Sequence, residues 1–145
     1  MTKSVLCAVD INHPEDNEVL EIANKLAQLD GASLDVITVV PNLGVTLVGS
    51  YFDENFQNQL VTDTQKTLKD MVAKVVGEER NKDIRHVVTT GSIYEEILEV
   101  AGQISADLIV IGAHKPQLRE FLLGPNAARV VRHSKCSVYV VRVQN

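Results

Sequence analysis

The residues best suited to chemistry lie where Gly124 and Pro125 precede a basic, amphipathic segment. Gly124 fits the position just before a helix, and Pro125 fits the first helical position because its missing N–H would be unpaired there in any case. We predict a helix from here to about His133. The N–H groups of Asn126 and Ala127 would face the end of the preceding strand, and a helix N-terminus in that place attracts anions. The stretch therefore predicts a phosphate site.

The strand expected before this helix is a short apolar run, Leu108 to Ile111, typical of a parallel strand buried on both faces. We expect Gly112 to end that strand. Between Gly112 and Lys135 the chain has five lysines and arginines and one acid, a net charge of +4, although the whole chain carries −5. Positive charge is therefore concentrated around the proposed anion site.

Composition restricts the classes of protein to consider. A length of 145 residues with 45% hydrophobic content predicts one domain over residues 1–145. The net charge of −5 argues against non-specific binding to nucleic acid. No apolar run approaches the roughly 18 residues that span a membrane, and the N-terminus lacks an export signal, so we expect a cytoplasmic location. Cys7 and Cys136 are expected to be buried apolar groups rather than a disulfide or metal pair.

Short apolar runs alternate along the chain with segments of helical periodicity. The predicted strands are Ser4 to Val9, Ser33 to Val40, Ile84 to Thr89, Leu108 to Ile111 and Ser137 to Val143. The predicted helices are Glu15 to Leu29, Leu60 to Gly77, one opening at Ser92, and the one ending near His133. Ser92 and Glu95 have the spacing of a capping box, and Asn42 to Phe56 is predicted to be a surface loop.

Five strands alternating with four helices predict an α/β fold, a single doubly wound parallel sheet with helices on both faces. The simplest strand order is 3-2-1-4-5. In that order the switch point lies between strands 1 and 4, so their carboxyl ends, at Asp10 and Gly112, face one crevice where ligands of such sheets bind. The helix start at Gly124 faces the same crevice. Three separate sequence features thus converge on one candidate site.

The residues around this crevice carry a resemblance to a known family. The segments concerned are GAHKP from Gly112, LLGPNAA from Leu122, VVRH from Val130 and CSVYVVR from Cys136. They resemble the universal stress protein family, most closely the F-type and G-type branch of small bacterial members. The opening LCAVD and the mid-chain VTTGSIYEEI extend the resemblance over essentially the whole chain.

The family signature, Gly-x2-Gly-x9-Gly followed by Ser or Thr, is only partly kept. Gly112 and Gly124 match it. Lys115 stands where the second glycine is expected, the loop is one residue shorter, and Pro125 occupies the Ser/Thr position. The resemblance implies a Rossmann-like domain that binds ATP, alone or with Mg²⁺, acts in stress adaptation, and usually forms a homodimer.

The resemblance also implies roles for single residues. Ala8, Val9 and Asp10 would lie beside the adenosine, with Asp10 accepting the ribose hydroxyls, and the backbone of Val39 would meet the adenine. Gly112 and Gly124 would let the backbone approach the phosphates. The remaining candidate nucleotide contacts are His114, Lys115, Arg119, Pro125 and Asn126, the last through its N–H.

Each feature also has a simpler interpretation. Asp10 could only cap the turn after strand 1, the two glycines could be turn residues, and Lys115 and Arg119 could be solvated surface charges. The edge strand Ser137 to Val143 must be covered or paired. The resemblance implies that it pairs with the same strand of a second copy.

Three functions stay open at this point. The first is a nucleotide-binding regulatory protein with at most slow ATP hydrolysis. The second is a nucleotide-free dimeric scaffold, favoured if Pro125 has spoiled the phosphate site. The third, a nucleotide-dependent transferase or ligase, ranks lowest because the sequence has no G-x4-G-K-[ST] loop.

Overall fold

The computed structural model describes residues 1–40, 54–114 and 124–143 of the chain. The strands are β1 (Ser4–Ala8), β2 (Ser33–Val40), β3 (Arg85–Thr90), β4 (Leu108–His114) and β5 (Ser137–Val143). The helices are α1 (Asp16–Asp30), α2 (Glu54–Val76), α3 (Glu78–Asn81), α4 (Ile93–Gln103) and α5 (Pro125–His133). Within these ranges no helix is both long and apolar enough to pass through a membrane.

The five strands form one parallel sheet in the order β3-β2-β1-β4-β5, so the predicted fold class and strand order are confirmed. β1 is central, with Cys7 opposite Val36 of β2 and Val110 of β4. Val5, Leu6 and Cys7 are fully buried, as expected for a strand covered on both faces. Cys7 is therefore a core residue, and Cys136 is half-buried; both are free cysteines.

Two cores cover the two faces of the sheet. Because side chains alternate along a strand, Val5 and Cys7 pack with residues of α1 and α2, such as Val19 and Leu68. Leu6 lies in the opposite core. That second core also contains Ala8, Ile37, Ile97, Val100, Ile109, Ala127 and Val130, most of them from β4, α4 and α5. The chain thus passes to opposite faces of the sheet after β1 and after β4.

The predicted end of β4 was wrong. The strand continues through Gly112 to His114, because β5 pairs with it over its whole length, Gly112 opposite Val141 and His114 opposite Val143. A glycine is needed at this position because the neighbouring side chains leave no room for a Cβ. A Cβ at Gly112 would lie 2.9 Å from Cγ2 of Val19 and 3.3 Å from Oδ1 of Asp16.

Other local predictions also needed correction. Helix α2 begins at Glu54, so the end of the predicted Asn42–Phe56 loop is helical, whereas residues 42–53 lie outside the described part. Between the second predicted helix and β3 the structure has the additional short helix α3, which was not predicted. Ser92 does precede helix α4, but its side chain makes no capping hydrogen bond. The Glu95 carboxylate instead accepts a hydrogen bond from the Tyr94 hydroxyl at 3.1 Å, so the capping box is not formed.

The start of α5 was predicted correctly. Gly124 precedes the helix with φ +89°, a conformation that L side chains rarely adopt, and Pro125 occupies the first helical turn. The Ala128 N–H donates to the Gly124 carbonyl at 3.0 Å, which closes the first turn. The helix ends at His133.

Candidate functional site

A cleft opens at the carboxyl end of the sheet, where β1 and β4 separate. We call it the switch-point cleft. Its volume of about 120 Å³ far exceeds the ~10–15 Å³ that a single water needs. The residues that line it are Ala8, Val9, Asp10, Asp16, Ile37, Thr38, Val39, Ile93, Ile97, Ile111, Gly112, Asn126 and Ala127. Segments from β1, β2, β4 and the starts of α1, α4 and α5 therefore meet at one place.

The sequence-predicted site residues divide into three groups. Six of them line the switch-point cleft together: Ala8, Val9, Asp10, Val39, Gly112 and Asn126. Gly124 and Pro125 start α5 but do not belong to the lining. Lys115 and Arg119 lie outside the described residues, as does the side chain of His114.

One wall of the cleft is apolar. It combines Ile37 and Val39 of β2, Ile93 and Ile97 of α4, and Ile111 of β4. Both α4 isoleucines belong to the helix face that packs against the second core, and nothing in a helical period shows that this face also borders a cleft. An apolar wall between two strand ends suits a flat, weakly polar ring.

Asp10 stands at the rim of this wall. Its Oδ1 accepts the Asn12 N–H at 2.9 Å, so the simpler interpretation of a turn-capping aspartate is correct as far as it goes. Its Oδ2 lies 3.5 Å from Nε2 of His13. The side chain is nevertheless about half exposed and lines the cleft, so it remains accessible to a ligand.

His13 bridges two acidic side chains beside the cleft. Its Nδ1 lies 3.0 Å from Oε1 of Glu15 and its Nε2 faces Asp10. The hydrogen bond to Glu15 raises the pKa of His13; partial burial opposes this, and the charges of Asp10, Glu15 and Asp16 add to the rise. The imidazole is thus held in its charged form to a higher pH than usual.

Sequence reasoning missed Asp16. An acidic residue here favours the start of α1 in any case, yet Asp16 is only 3% exposed and lines the cleft. Its Oδ2 accepts the backbone N–H of Asp10 at 2.7 Å. Burial first, and then the Asp16 charge, raise the pKa of the Cys7 thiol far above its usual range, so Cys7 stays protonated and is no nucleophile.

The basic residues described between Gly112 and Lys135, which are Arg129, Arg132 and Lys135, do not line the switch-point cleft. Arg129 lies over the ring of Tyr94, 5.0 Å from its centroid, and does not line the switch-point cleft. Lys135 and His133 line a different cavity, of about 330 Å³, near the amino end of β5. The described residues of this segment that line the cleft are Gly112, Asn126 and Ala127, none of which is a cation. No group of three metal-ligating side chains occurs among the described residues.

Together, the parallel sheet and the cleft at its switch point define a Rossmann-like α/β domain with a candidate ligand site. The model of the universal stress protein family matches residues 1–142, and the chain belongs to this family. Among its relatives, universal stress protein G of Shigella flexneri is 30% identical over 145 residues, covering 98% of this chain and 100% of the relative.

Solved structures agree on the fold. A hypothetical protein whose biochemical function was assigned from its structure superposes with a TM-score of 0.81 at 22% identity, covering 100% of this chain and 99% of its own. A universal stress protein in complex with cAMP superposes with a TM-score of 0.66 at 18% identity, covering 99% and 98% of the two chains. At these identities the likeness concerns the fold.

Proposed function

We propose that this protein binds an adenine nucleotide, ATP in the first place, in the switch-point cleft and uses it to regulate its contacts with partners. The observation that carries the proposal is that Asp10, Gly112 and Asn126, from three distant parts of the sequence, line one cleft with an apolar wall. A structural neighbour in the same family was solved with an adenine nucleotide, cAMP, which supports this choice of ligand.

In the proposed complex, each part of the nucleotide meets a matching surface. The adenine lies against the apolar wall near Val39, the ribose hydroxyls donate to Asp10, and the phosphates approach the start of α5. There Asn126 and Ala127 belong to the first helical turn, whose N–H groups have no partner within the helix and favour anions.

ATP titration calorimetry, with and without Mg²⁺, tests the proposal. We expect binding by the wild type and a loss of about 10- to 100-fold for Asp10→Asn, because hydrogen bonds to a charged acceptor are worth roughly 1.5–3 kcal/mol. Asp70→Asn, an exposed change in α2, is the matched control and should bind like the wild type. If folded wild-type protein does not bind ATP at millimolar concentration, nucleotide binding is excluded.

A nucleotide-free scaffold remains the second candidate. One observation favours it: Gly124 and Pro125 stay outside the cleft lining, and Pro125 supplies neither a hydroxyl nor an N–H. The same titration separates the two candidates, since a scaffold of this kind would show no heat of binding with any adenine nucleotide.

We also propose that the protein forms a homodimer through strand β5, Ser137–Val143. This strand is at an edge of the sheet, and Tyr139 on it and Val131 on α5 are 44% and 45% exposed. Edge strands with exposed apolar side chains tend to pair with another chain. Strand pairing with a second copy would cover both features.

Light scattering at several protein concentrations tests the dimer. Tyr139→Glu places a charge on the proposed interface and should shift the mass from dimer to monomer. Leu29→Glu replaces another exposed apolar side chain, 79% exposed at the end of α1 and not on β5, and should leave the dimer intact. A dimer that survives Tyr139→Glu but not Leu29→Glu would place the interface elsewhere.

A further inference from the structure

We infer that Asp16 is a positioning residue, which holds Asp10 where its carboxylate can recognise the ribose hydroxyls of the bound nucleotide. This inference rests on the proposed function and adds to it the residue on which recognition of the sugar depends. Asp16 itself need not touch the ligand. It acts through the backbone of Asp10, whose N–H it accepts at 2.7 Å.

Asp16 belongs to a closed set of hydrogen bonds around the β1–α1 connection. The His13 N–H donates to the Asp10 carbonyl at 3.1 Å, and the Asp16 N–H donates to the His13 carbonyl at 2.9 Å. The Asp16 side chain then returns to the Asp10 N–H, so the segment is tied to itself at both ends. The backbone of Asp10 is consequently held by a residue six positions later in the sequence, and from that backbone the Asp10 carboxylate reaches the Asn12 N–H.

The surroundings of Asp16 keep its side chain in one place. Its residue exposure is only 3%, and a Cβ on Gly112 would lie 3.3 Å from Oδ1 of Asp16. The absence of a side chain at this point of β4 therefore leaves the room that Asp16 occupies. A side chain so enclosed loses little freedom when it accepts a hydrogen bond, and it can hold the Asp10 backbone firmly.

The adenine contacts proposed above come from other elements. Ile37 and Val39 belong to β2, which is held between β1 and β3, and Ile93 belongs to α4. The Val9 N–H donates to the Ile37 carbonyl at 3.0 Å, but neither strand β2 nor helix α4 is hydrogen-bonded to the Asp16 side chain by the bond that holds Asp10. Loss of the Asp16 acceptor should therefore impair recognition of the ribose hydroxyls while leaving the binding of base and phosphates largely intact. A residue that only stabilised the fold would weaken all three together.

The test compares ATP with 2′,3′-dideoxy-ATP by titration calorimetry. In the wild type we expect ATP to bind about 10- to 100-fold more tightly, since two hydroxyl donors to a charged acceptor are lost in the dideoxy compound. In Asp16→Ala this ratio should fall to about 3 or less, with dideoxy-ATP bound nearly as in the wild type. Asp16→Asn retains an acceptor oxygen and should keep most of the ratio.

Asp107→Ala is the matched control. Asp107 likewise accepts backbone N–H groups of the β1 region, from Lys3 at 2.7 Å and Ser4 at 3.0 Å, but at the opposite end of the strand. Its removal should leave the ratio of the two affinities unchanged. Because Asp16→Ala creates a buried space, Asp16→Val, which fills that space without offering an acceptor, is measured beside it, and folding is verified by thermal melting.

The outcomes separate the two proposals. If the wild type binds neither nucleotide, the proposed function fails and the role of Asp16 fails with it. If the wild type binds both nucleotides equally, or if Asp16→Ala and Asp16→Val preserve the preference for ATP, nucleotide binding stands and the positioning role is overturned. Collapse of the ratio in the Asp16 variants, together with its retention in Asp107→Ala, supports the inference.

Discussion

Strand β1 is held at both of its ends by an aspartate from elsewhere in the chain, and the two ends differ in what surrounds that aspartate. At the amino end, the exposed Asp107 accepts the N–H groups of Lys3 and Ser4, and its own N–H donates to the Ser4 carbonyl at 2.9 Å. At the carboxyl end, the buried Asp16 accepts the N–H of Asp10 beside an open cleft. The same kind of bond closes one end of the sheet and borders a candidate binding site at the other.

The direction of the chain explains the difference. After β1 the chain enters α1 on one face of the sheet, whereas after β4 it proceeds to α5 on the other face. The carboxyl ends of these neighbouring strands are therefore left uncovered between the two helices, as occurs at a switch point. At the amino end the connections instead come together, and the Ser33 N–H donates to the Lys3 carbonyl at 3.0 Å. The buried Asp16 at the carboxyl end therefore borders a candidate binding site, whereas Asp107 at the amino end only joins neighbouring connections.

The largest effect, on the free energy of unfolding, is expected from filling the space at Gly112. Gly112→Ala would bring a Cβ to 2.9 Å from Val19 and 3.2 Å from Val143, and we expect the free energy of unfolding to fall by about 1–3 kcal/mol. Gly102→Ala is the control near the amino end, in helix α4, where a Cβ meets nothing within 4 Å. It should stabilise the protein by about 0.5–1 kcal/mol.

Urea denaturation of both glycine variants measures this contrast between the ends. We expect the surroundings of Gly112, at the carboxyl end of the sheet, to be more closely packed than those of Gly102, although the cleft lies at the same end. Equal and small changes for Gly112→Ala and Gly102→Ala would show that the sheet relaxes freely around Gly112, and that the enclosure of Asp16 is looser than the distances indicate.

A smaller effect is expected at the start of α5, which belongs to the carboxyl end alone. Pro125→Ser restores one N–H and one hydroxyl and should tighten ATP about 10-fold and AMP less, because a neutral hydrogen bond is worth about 1 kcal/mol. Pro125→Ala restores only the N–H and should recover part of that gain. The affinities of ATP and AMP for the three proteins, measured by calorimetry, provide the comparison.

The Pro125 series also tests where the phosphates lie. Equal improvement of AMP and ATP by Pro125→Ser, or no change in either, would mean that the phosphates do not approach α5. The carboxyl end would then hold the adenosine alone, and the difference between the two ends would be smaller than proposed.

The smallest effect concerns His13, whose pKa is raised chiefly by its hydrogen bond to Glu15. A raised pKa in the folded state favours the protonated form, so the added stability is full below the unfolded value of about 6.5 and disappears as pH rises through the folded value. His13→Gln should therefore have a lower melting temperature than the wild type at about pH 5.5. The corresponding loss of unfolding free energy is less than about 1 kcal/mol for so exposed a pair. At about pH 8.5 the two proteins should melt at the same temperature.

Lys82→Gln is the control for His13. It breaks the exposed Lys82–Glu79 pair, 3.1 Å long, which contains no histidine. Its effect on the melting temperature should be the same at both values of pH. A His13→Gln effect that is likewise independent of pH would show that the imidazole is not charged beside Asp10 and Glu15.

Local signals in the sequence were sufficient for most of the framework. The apolar runs of β1, β2 and β5 and the Gly124–Pro125 start of α5 were predicted to within a residue or two, because strand burial and helix initiation act over a few neighbouring residues. The Ser92 capping box failed although its spacing was right. A side-chain cap depends on rotamers and on competing partners, which spacing alone does not specify.

The sequence by itself determined the alternation of strands and helices, and with the rules of chain connection it led to the strand order and to the meeting of Asp10, Gly112 and Asn126. Only the tertiary structure decided that Gly112 lies inside β4 and that Asp16 is buried beneath Asp10. Both facts depend on side chains that approach from α1 and β5. Such approaches are set by the packing of distant segments, and no local pattern at Gly112 or Asp16 encodes them.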